Sequence, residues 1–378
     1  MKPKTYFLKT YGCQMNEADS ERIAGWLGAI GFKPAKKINE ADWVIINTCS
    51  VRQSAEDRVF GLIKNLTDTR YVIRDTKRRI IVTGCILYHP IADLRKKLPE
   101  VDWFVKTKEW PKFLEERCKG AKVQRSKAEP KREDKTHAWV PIMEGCSHYC
   151  TYCVVPYARG KERSRPFEEI ICRSKKLAQR GCKEITLLGQ NVNAYGKDFK
   201  KSKVKSQKSK LQLKTKKFKK FKMPFALLLA VLHEIPNLEK ISFITSNPWD
   251  LSDDIIEAMK LPKIDRYLHL PVQSGDDEIL KKMNRPYTAA QYLKLVKKIR
   301  KRIPDIKIGT DLIVGFPGET KKAFENTVKL CRKVGFTKAY IAMYSPRPGT
   351  AAYRFADNVS YKEKKRRWTV LEELINRA

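Results

Sequence analysis

The sequence predicts an α/β protein, with a small parallel βαβ domain at the N-terminus and a partial (β/α)6 barrel after it. Short apolar runs alternate throughout with segments whose apolar residues recur at helical spacing. One polar, proline-containing stretch interrupts that alternation, and six cysteines follow directly on strand-like runs. Strands joined by helices lie parallel, and sheets of this kind bind ligands beyond the carboxyl ends of their strands.

Three apolar runs open the chain, and each leads to a cysteine. Tyr6-Phe7-Leu8 leads to Gly12-Cys13, Trp43-Val44-Ile45-Ile46 to Asn47-Thr48-Cys49, and Ile80-Ile81-Val82 to Thr83-Gly84-Cys85. Between them lie helical patterns carrying Ile23, Trp26, Leu27 and Ile30, then Val59, Leu62, Ile63 and Leu66. Cys13, Cys49 and Cys85 are separated by 36 residues and again by 36, one βα unit each time, so they are expected on one side of a small sheet. A single free cysteine is commonly an inert core thiol. Three at equivalent positions instead suggest a ligand set, and the glycines before Cys13 and Cys85 suit a tight turn or a bulky ligand close to the backbone. Cys118, Cys172, Cys182 and Cys331 have no partners at ligand spacing and read as structural.

The first domain is expected over residues 1–118 and a linker over 119–136. The barrel is expected over 137–378, with strands at 137–144, 184–189, 240–245, 267–272, 306–314 and 338–344, each followed by a helix, the last from about Ser360 to Asn376. Six such units make an open barrel, since closure takes eight. A lysine-rich, low-complexity insertion at 197–222 interrupts the second βα connection.

The first barrel strand runs into Gly145-Cys146-Ser147-His148-Tyr149-Cys150-Thr151-Tyr152-Cys153, a C-x₃-C-x₂-C loop. Thiolates select iron–sulfur clusters, zinc or Cu(I), and a cubane cluster normally takes four cysteines, one per iron. Three leave one iron open for a small molecule. Structural zinc is the alternative, but it closes at four ligands and no Cys or His pair nearby supplies the fourth. His148 reads as incidental.

Lysine and arginine number 79 against 42 acids, a formal charge of +37. The insertion holds thirteen lysines and one acid, and removing it still leaves +25. That balance points to a polyanionic partner, nucleic acid first, against the alternative of a solvated lysine-rich surface. No apolar run has transmembrane length, no signal peptide opens the chain, and a cytoplasmic, membrane-free, monomeric protein is expected.

Cys146-x₃-Cys150-x₂-Cys153, with Tyr152 before the last cysteine, resembles the signature of the radical S-adenosylmethionine enzymes. With Cys13, Cys49 and Cys85 added, the chain resembles their methylthiotransferase family, and within it the tRNA 2-methylthio-N6-dimethylallyladenosine synthases. The narrower likeness rests on Thr10-Tyr11-Gly12-Cys13-Gln14-Met15-Asn16, Asn47-Thr48-Cys49-Ser50-Val51-Arg52, Leu188-Gly189-Gln190-Asn191, His269-Leu270-Pro271-Val272-Gln273-Ser274-Gly275 and residues 310–320 and 344–350. The resemblance implies two [4Fe-4S] clusters. The one on Cys146, Cys150 and Cys153 would bind and cleave S-adenosylmethionine, and the resulting radical would take hydrogen from C2 of the adenine. The one on Cys13, Cys49 and Cys85 would deliver sulfur methylated by a second S-adenosylmethionine, making two per turnover. The resemblance also implies cofactor contacts from Tyr152, Gly189, Gln190, Asn191, Gln273 and Asp311. Its implied partners are tRNA carrying N6-dimethylallyladenosine 3′ of the anticodon and a reducing electron donor.

Arg159, Arg163 and Arg165 are expected either on phosphate or the substrate base or in ion pairs with Glu162 and Glu168. Three departures from the family stand out. Asn247-Pro248 replaces His-Pro, Ile86-Leu87-Tyr88 replaces small or polar residues, and the chain stops at Ala378, where the family continues into an RNA-binding β-barrel domain. Methylthiolation of threonylcarbamoyladenosine or of a ribosomal-protein aspartate is the alternative within the enzyme class. A noncatalytic iron–sulfur RNA-binding protein is the alternative outside it.

Overall fold

The computed structural model describes residues 4–51, 53–67, 78–118, 129–199, 218 and 220–377. Arg52, most of the expected linker and most of the lysine-rich insertion lie outside the described residues. The chain forms two compact units, Met1–Asp134 with Tyr157–Arg159, and Lys135–Pro156 with Gly160–Ala378.

In the first unit, β1 (Thr5–Tyr11), β3 (Trp43–Thr48) and β4 (Arg79–Gly84) pair in parallel, with β2 (Lys33–Pro34) and β5 (Trp103–Phe104) at the edges in the order β2-β1-β3-β4-β5. The two edge strands were not expected, because two residues are too few to show a periodicity. Pro34, which has no N–H to give, is confined to an edge. All six residues of β3 are buried, the pattern of a parallel strand covered on both faces. One face packs Ile23, Trp26 and Leu27 of α1 (Gln14–Ala29) with Trp43 and with Trp110 of α4 (Trp110–Arg117). The other packs Val59 and Ile63 of α2 (Gln53–Thr67) with Val44, Ile46 and Val82 and with Leu94 of α3 (Ile91–Lys97).

In the second unit six parallel strands run in chain order, in two groups of three. β6 (His137–Pro141), β9 (Glu184–Leu188) and β10 (Lys240–Phe243) form one, and β11 (Tyr267–His269), β12 (Lys307–Val314) and β13 (Lys338–Met343) the other. A single bridge, Ile241 to Ile264, joins β10 to the segment leading into β11. This is the partial barrel that the alternation predicts. One element differs. The expected strand 137–144 breaks after Pro141, and Met143–Glu144 (β7) turns away to pair antiparallel with Arg163–Ser164 (β8). That pairing closes the base of the cysteine loop.

A short helix, α5 (Val155–Arg159), follows the cysteine loop, and the covering helices are α6 (Phe167–Gln179), α7 (Pro224–His233), α8 (Asp253–Met259), α9 (Asp277–Lys282), α10 (Ala289–Arg302), α11 (Lys321–Val334) and α12 (Tyr361–Ile375). Local chemistry sets their ends. Thr288 and Gln291 form a capping box before α10, Ser360 caps α12, and Gly335 ends α11 in the left-handed conformation. A buried ion pair ties α12 to the loop after β12. Arg367 Nη1 lies 2.6 Å from Glu319 Oε2 and donates to Glu319 O at 2.8 Å, and the same carboxylate oxygen accepts the Gly315 N–H at 2.6 Å. Among the described residues no helix is long and apolar enough to cross a membrane.

Candidate active site with two three-cysteine centres

The first centre follows from strand register. Tyr11 pairs with Thr48 and Thr48 with Gly84, so Cys13, Cys49 and Cys85 leave the sheet one or two residues beyond one line. Gly84 has φ of 95°, and a Cβ there would lie 2.4 Å from the Thr48 carbonyl oxygen. At Gly12 it would lie 2.4 Å from Asn16 Oδ1. Only glycine permits either approach.

A buried amide network sets the floor of this centre. Asn16 Nδ2 donates to Asn47 Oδ1 at 3.0 Å, and Asn47 Nδ2 donates to Asn16 O at 2.8 Å and to Ser20 Oγ at 2.9 Å. The Val51 N–H donates to Cys49 Sγ at 3.2 Å. Arg159, one of the residues Tyr157–Arg159 that belong to this unit, donates from Nε to Cys85 Sγ at 3.4 Å and from Nη2 to Asp19 Oδ2 at 3.0 Å. The Cys49 thiol donates to Cys13, which holds Cys13 below the usual thiol range and pushes Cys49 well above it. Burial pushes Cys85 up, against the pull of Arg159.

The second centre lies in the loop closed by β7 and β8. The Cys146 N–H donates to Gly160 O at 3.0 Å, the Cys153 N–H to Cys150 O at 3.0 Å, and the Gly145 N–H to Gln190 Oε1 at 2.6 Å. The far side of the loop hangs on the end of α9. Thr151 Oγ1 donates to Lys282 O at 2.8 Å, the Thr151 N–H to Met283 O at 3.2 Å, and Asn284 Nδ2 to Tyr149 O at 2.9 Å. Burial first, then the charge of neighbouring acidic groups, pushes the Cys146 and Cys153 thiols up to about 12, against the opposing pull of backbone N–H groups and Arg285. A metal bound there would displace those protons and supply the positive charge that a buried thiolate otherwise lacks. Cys49, Cys85 and Cys146 are buried, Cys150 and Cys153 partly so and Cys13 exposed, and three soft donors at each of these strand ends fit iron–sulfur ligation. Among the described residues, no group of three or more His, Cys, Asp or Glu side chains closes around a single ion. A cluster takes one thiolate per iron around a wider body.

The remaining candidate residues lie at or near strand ends of the same unit. The Tyr152 ring packs against a satellite core that includes Met283, Phe316 and Tyr344. Gly189 closes β9 so tightly that a Cβ there would lie 2.5 Å from Met143 Cγ. Gln190 holds the cysteine loop. Asn191 is buried, and its Nδ2 donates to Asp250 Oδ2 at 2.7 Å. Gln273 takes a φ of 70° and bridges to β12 through its backbone, its N–H to Asp311 O at 2.9 Å and its carbonyl from Ile313 N at 3.0 Å. Asp311 Oδ1 lies 3.1 Å from His269 Nε2.

His148 is more engaged than the sequence suggests. Its Nε2 lies 3.4 Å from Asp250 Oδ2 and 3.8 Å from Glu162 Oε1, and its ring meets Trp249 edge-on at 4.8 Å. Asp250 was not singled out from the sequence, yet it ends the short turn Pro248–Asp250 after β10, a strand-end position of the kind that marks barrel chemistry. Burial alone would raise its carboxyl. Hydrogen bonds from His148, Lys197 and Asn191 overcome that and hold it at about 2. A depressed carboxyl stabilises the fold above its unfolded value of 3.8 and loses that contribution as pH falls through about 2. The urea midpoint of Asp250→Asn is therefore expected below that of the parent at neutral pH, with the gap closing as pH falls from 3.8 through about 2. The arginines also found other partners. Arg165 donates to Pro141 O at 2.9 Å and meets Glu169 at 3.5 Å rather than Glu168, and Arg163 is exposed.

A partial parallel barrel with a C-x₃-C-x₂-C loop after its first strand defines a radical S-adenosylmethionine protein, and residues 140–331 match the Radical SAM superfamily. Residues 5–106 match the uncharacterized protein family UPF0004. The tRNA-2-methylthio-N(6)-dimethylallyladenosine synthase of Dictyoglomus thermophilum is 40% identical over 98% of this chain and 82% of its own length. That of Carboxydothermus hydrogenoformans is 43% identical over 100% and 84%. The chain belongs to the family of tRNA-2-methylthio-N(6)-dimethylallyladenosine synthases. Among solved structures, the radical S-adenosylmethionine methyltransferase TsrM of Kitasatospora setae, with cobalamin and a [4Fe-4S] cluster bound, aligns with a TM-score of 0.58 at 13% identity. It covers 93% of this chain and 77% of that one, a likeness of fold.

Proposed function

We propose that this chain methylthiolates C2 of N6-dimethylallyladenosine, the base on the 3′ side of the anticodon in tRNA. The observation that best supports the reading is the pair of three-thiol centres at strand ends, in a chain 40% identical to a synthase of that name. Cys146, Cys150 and Cys153 hold one [4Fe-4S] cluster and Cys13, Cys49 and Cys85 a second. Bound there with S-adenosylmethionine, two molecules per turnover, the clusters supply the radical and sulfur chemistry that side chains cannot.

The protein's part is to bind, orient and exclude water. Gln190 fixes the entry to the cysteine loop through Gly145, and α9 fixes its exit through Thr151. Asn191 and Asp250 hold His148 against Trp249. Tyr152, Gly189, Gln273 and Asp311 supply the walls of the cofactor site, Gly189 by its lack of a side chain and Gln273 by its constrained backbone. The +37 charge attracts the tRNA phosphates. A reducing donor of the cytoplasm provides electrons, and the chain acts as a monomer.

The test is nucleoside mass analysis of tRNA from cells that lack their own methylthiolation and express this chain. The expected product is 2-methylthio-N6-dimethylallyladenosine. Methylthiolated threonylcarbamoyladenosine would redirect the substrate assignment. Absence of any methylthio nucleoside, with no cleavage of S-adenosylmethionine by the reconstituted chain, would refute the enzyme reading.

A further inference from the structure

The end of α9 does more than clamp the cysteine loop. Two residues past Met283, Arg285 is buried, and its guanidinium reaches back into the loop, where Nη1 lies 3.6 Å from Cys150 Sγ. Every other part of the group is held. Nη2 donates to Pro271 O at 2.9 Å and Nε to Tyr287 Oη at 3.1 Å. The guanidinium carbon lies 4.6 Å from the centroid of Trp249 and 5.4 Å from that of Tyr287, and those two rings are stacked with centroids 5.8 Å apart. A guanidinium is planar, always charged and well suited to stacking between aromatic rings. Its desolvation is met by a carbonyl, a hydroxyl, two π faces and one sulfur. Among the described residues no carboxylate forms an ion pair with it, so its charge is not cancelled locally.

We propose that Arg285 is a positioning residue for the cluster of the cysteine loop, which holds Cys150 in place and, as a fixed cation donating to its sulfur, raises the reduction potential of that cluster. The proposal rests on the reading that Cys146, Cys150 and Cys153 carry a cluster. Hydrogen bonds to ligand sulfurs and net local charge are among the main determinants of iron–sulfur potentials. Reduction adds one electron and makes or breaks no bond, so a nearby positive charge stabilises the reduced form more than the oxidised one. The clamp on Thr151 and Tyr149 makes the effect specific, because it fixes the distance between the guanidinium and the sulfur.

The experiment is an EPR-monitored redox titration with dithionite on the full chain, with Cys13, Cys49 and Cys85 replaced by alanine so that one cluster is in view. Arg285→Gln keeps a donor to Pro271 O but removes the charge. Its cluster is expected to show about a tenfold lower ratio of reduced to oxidised form at a given solution potential, a shift of ~59 mV for a one-electron couple. Arg285→Lys keeps the charge on a stem that loses the stack and the fork, and is expected to shift in the same direction by less. The glutamine variant titrating at the parent's potential would overturn the proposal, and so would a lysine variant shifted as far as the glutamine one. Where the glutamine variant fails to retain iron, Arg285→Met, which also removes the charge, decides by the same criterion. Failure of the underlying assignment would look different, since the chain with Arg285 intact would then carry neither iron nor a signal from the reduced state.

Discussion

Replacing Cys146 with alanine is expected to remove one cluster, abolish cleavage of S-adenosylmethionine and lower methylthiolation by more than about 100-fold. Losing a residue that merely orients a metal ligand typically lowers affinity or activity ~10–100-fold, so losing the ligand itself should exceed that. Cys146 is buried, its thiol is pushed up to about 12, and its backbone closes the loop on Gly160. Alanine leaves that backbone bond in place and removes only the sulfur. The fold should therefore survive, and the iron and sulfide of the Cys13, Cys49 and Cys85 centre should remain. Iron analysis and the visible spectrum check this directly. Unchanged iron and sulfide would contradict the assignment of the loop, and loss of both clusters would show that the two centres do not load independently.

The largest expected effect on stability comes from Arg367→Met. Arg367 and Glu319 are almost fully buried, with side-chain exposures of 5% and 0%. Methionine would leave a carboxylate in the core with only the Gly315 N–H to satisfy it. Removing one partner of such a pair typically destabilises by about 3–5 kcal/mol. For a domain of this size that lowers the melting temperature by on the order of 10 °C. The double variant Glu319→Gln with Arg367→Met should recover part of the loss, because no buried charge remains. A double variant as unstable as the single one would mean that Arg367 acts mainly through its bond to Glu363, at 2.8 Å from Nε.

Much of this arrangement is legible in the sequence, because it is carried by local regularities. The 36-residue spacing of Cys13, Cys49 and Cys85 reflects one βα unit per thiol, and the strand register realises it. The six barrel strands show as apolar runs, and Ser360 and Asn376 bound the last helix as the pattern suggests. What escaped has no local signature. Lys33–Pro34 and Trp103–Phe104 are too short to alternate, and the break after Pro141 is made by β8, some twenty residues later. Arg285 lies 135 positions from Cys150, and only the return of the chain through β11 and α9 brings them together. His148 looks incidental in sequence because its partners, Asp250 and Glu162, arrive from other connections.

The bridge between Ile241 and Ile264 has a mechanical side. Across that line the sheet is held by two backbone hydrogen bonds, Ile241 N to Lys263 O at 2.7 Å and Asp265 N to Ile241 O at 2.9 Å. The two half-barrels on either side are continuous ladders. Those two bonds contribute about 1–3 kcal/mol at a net ~0.5–1.5 kcal/mol each, and Asp265 adds a hydrogen bond from Ser242 Oγ at 2.9 Å and an ion pair with Lys240 at 3.3 Å across the same line. The two halves are thus joined across this line more by the side chains packed behind it than by backbone pairing, since residues from Val140 to Ala339 share one core.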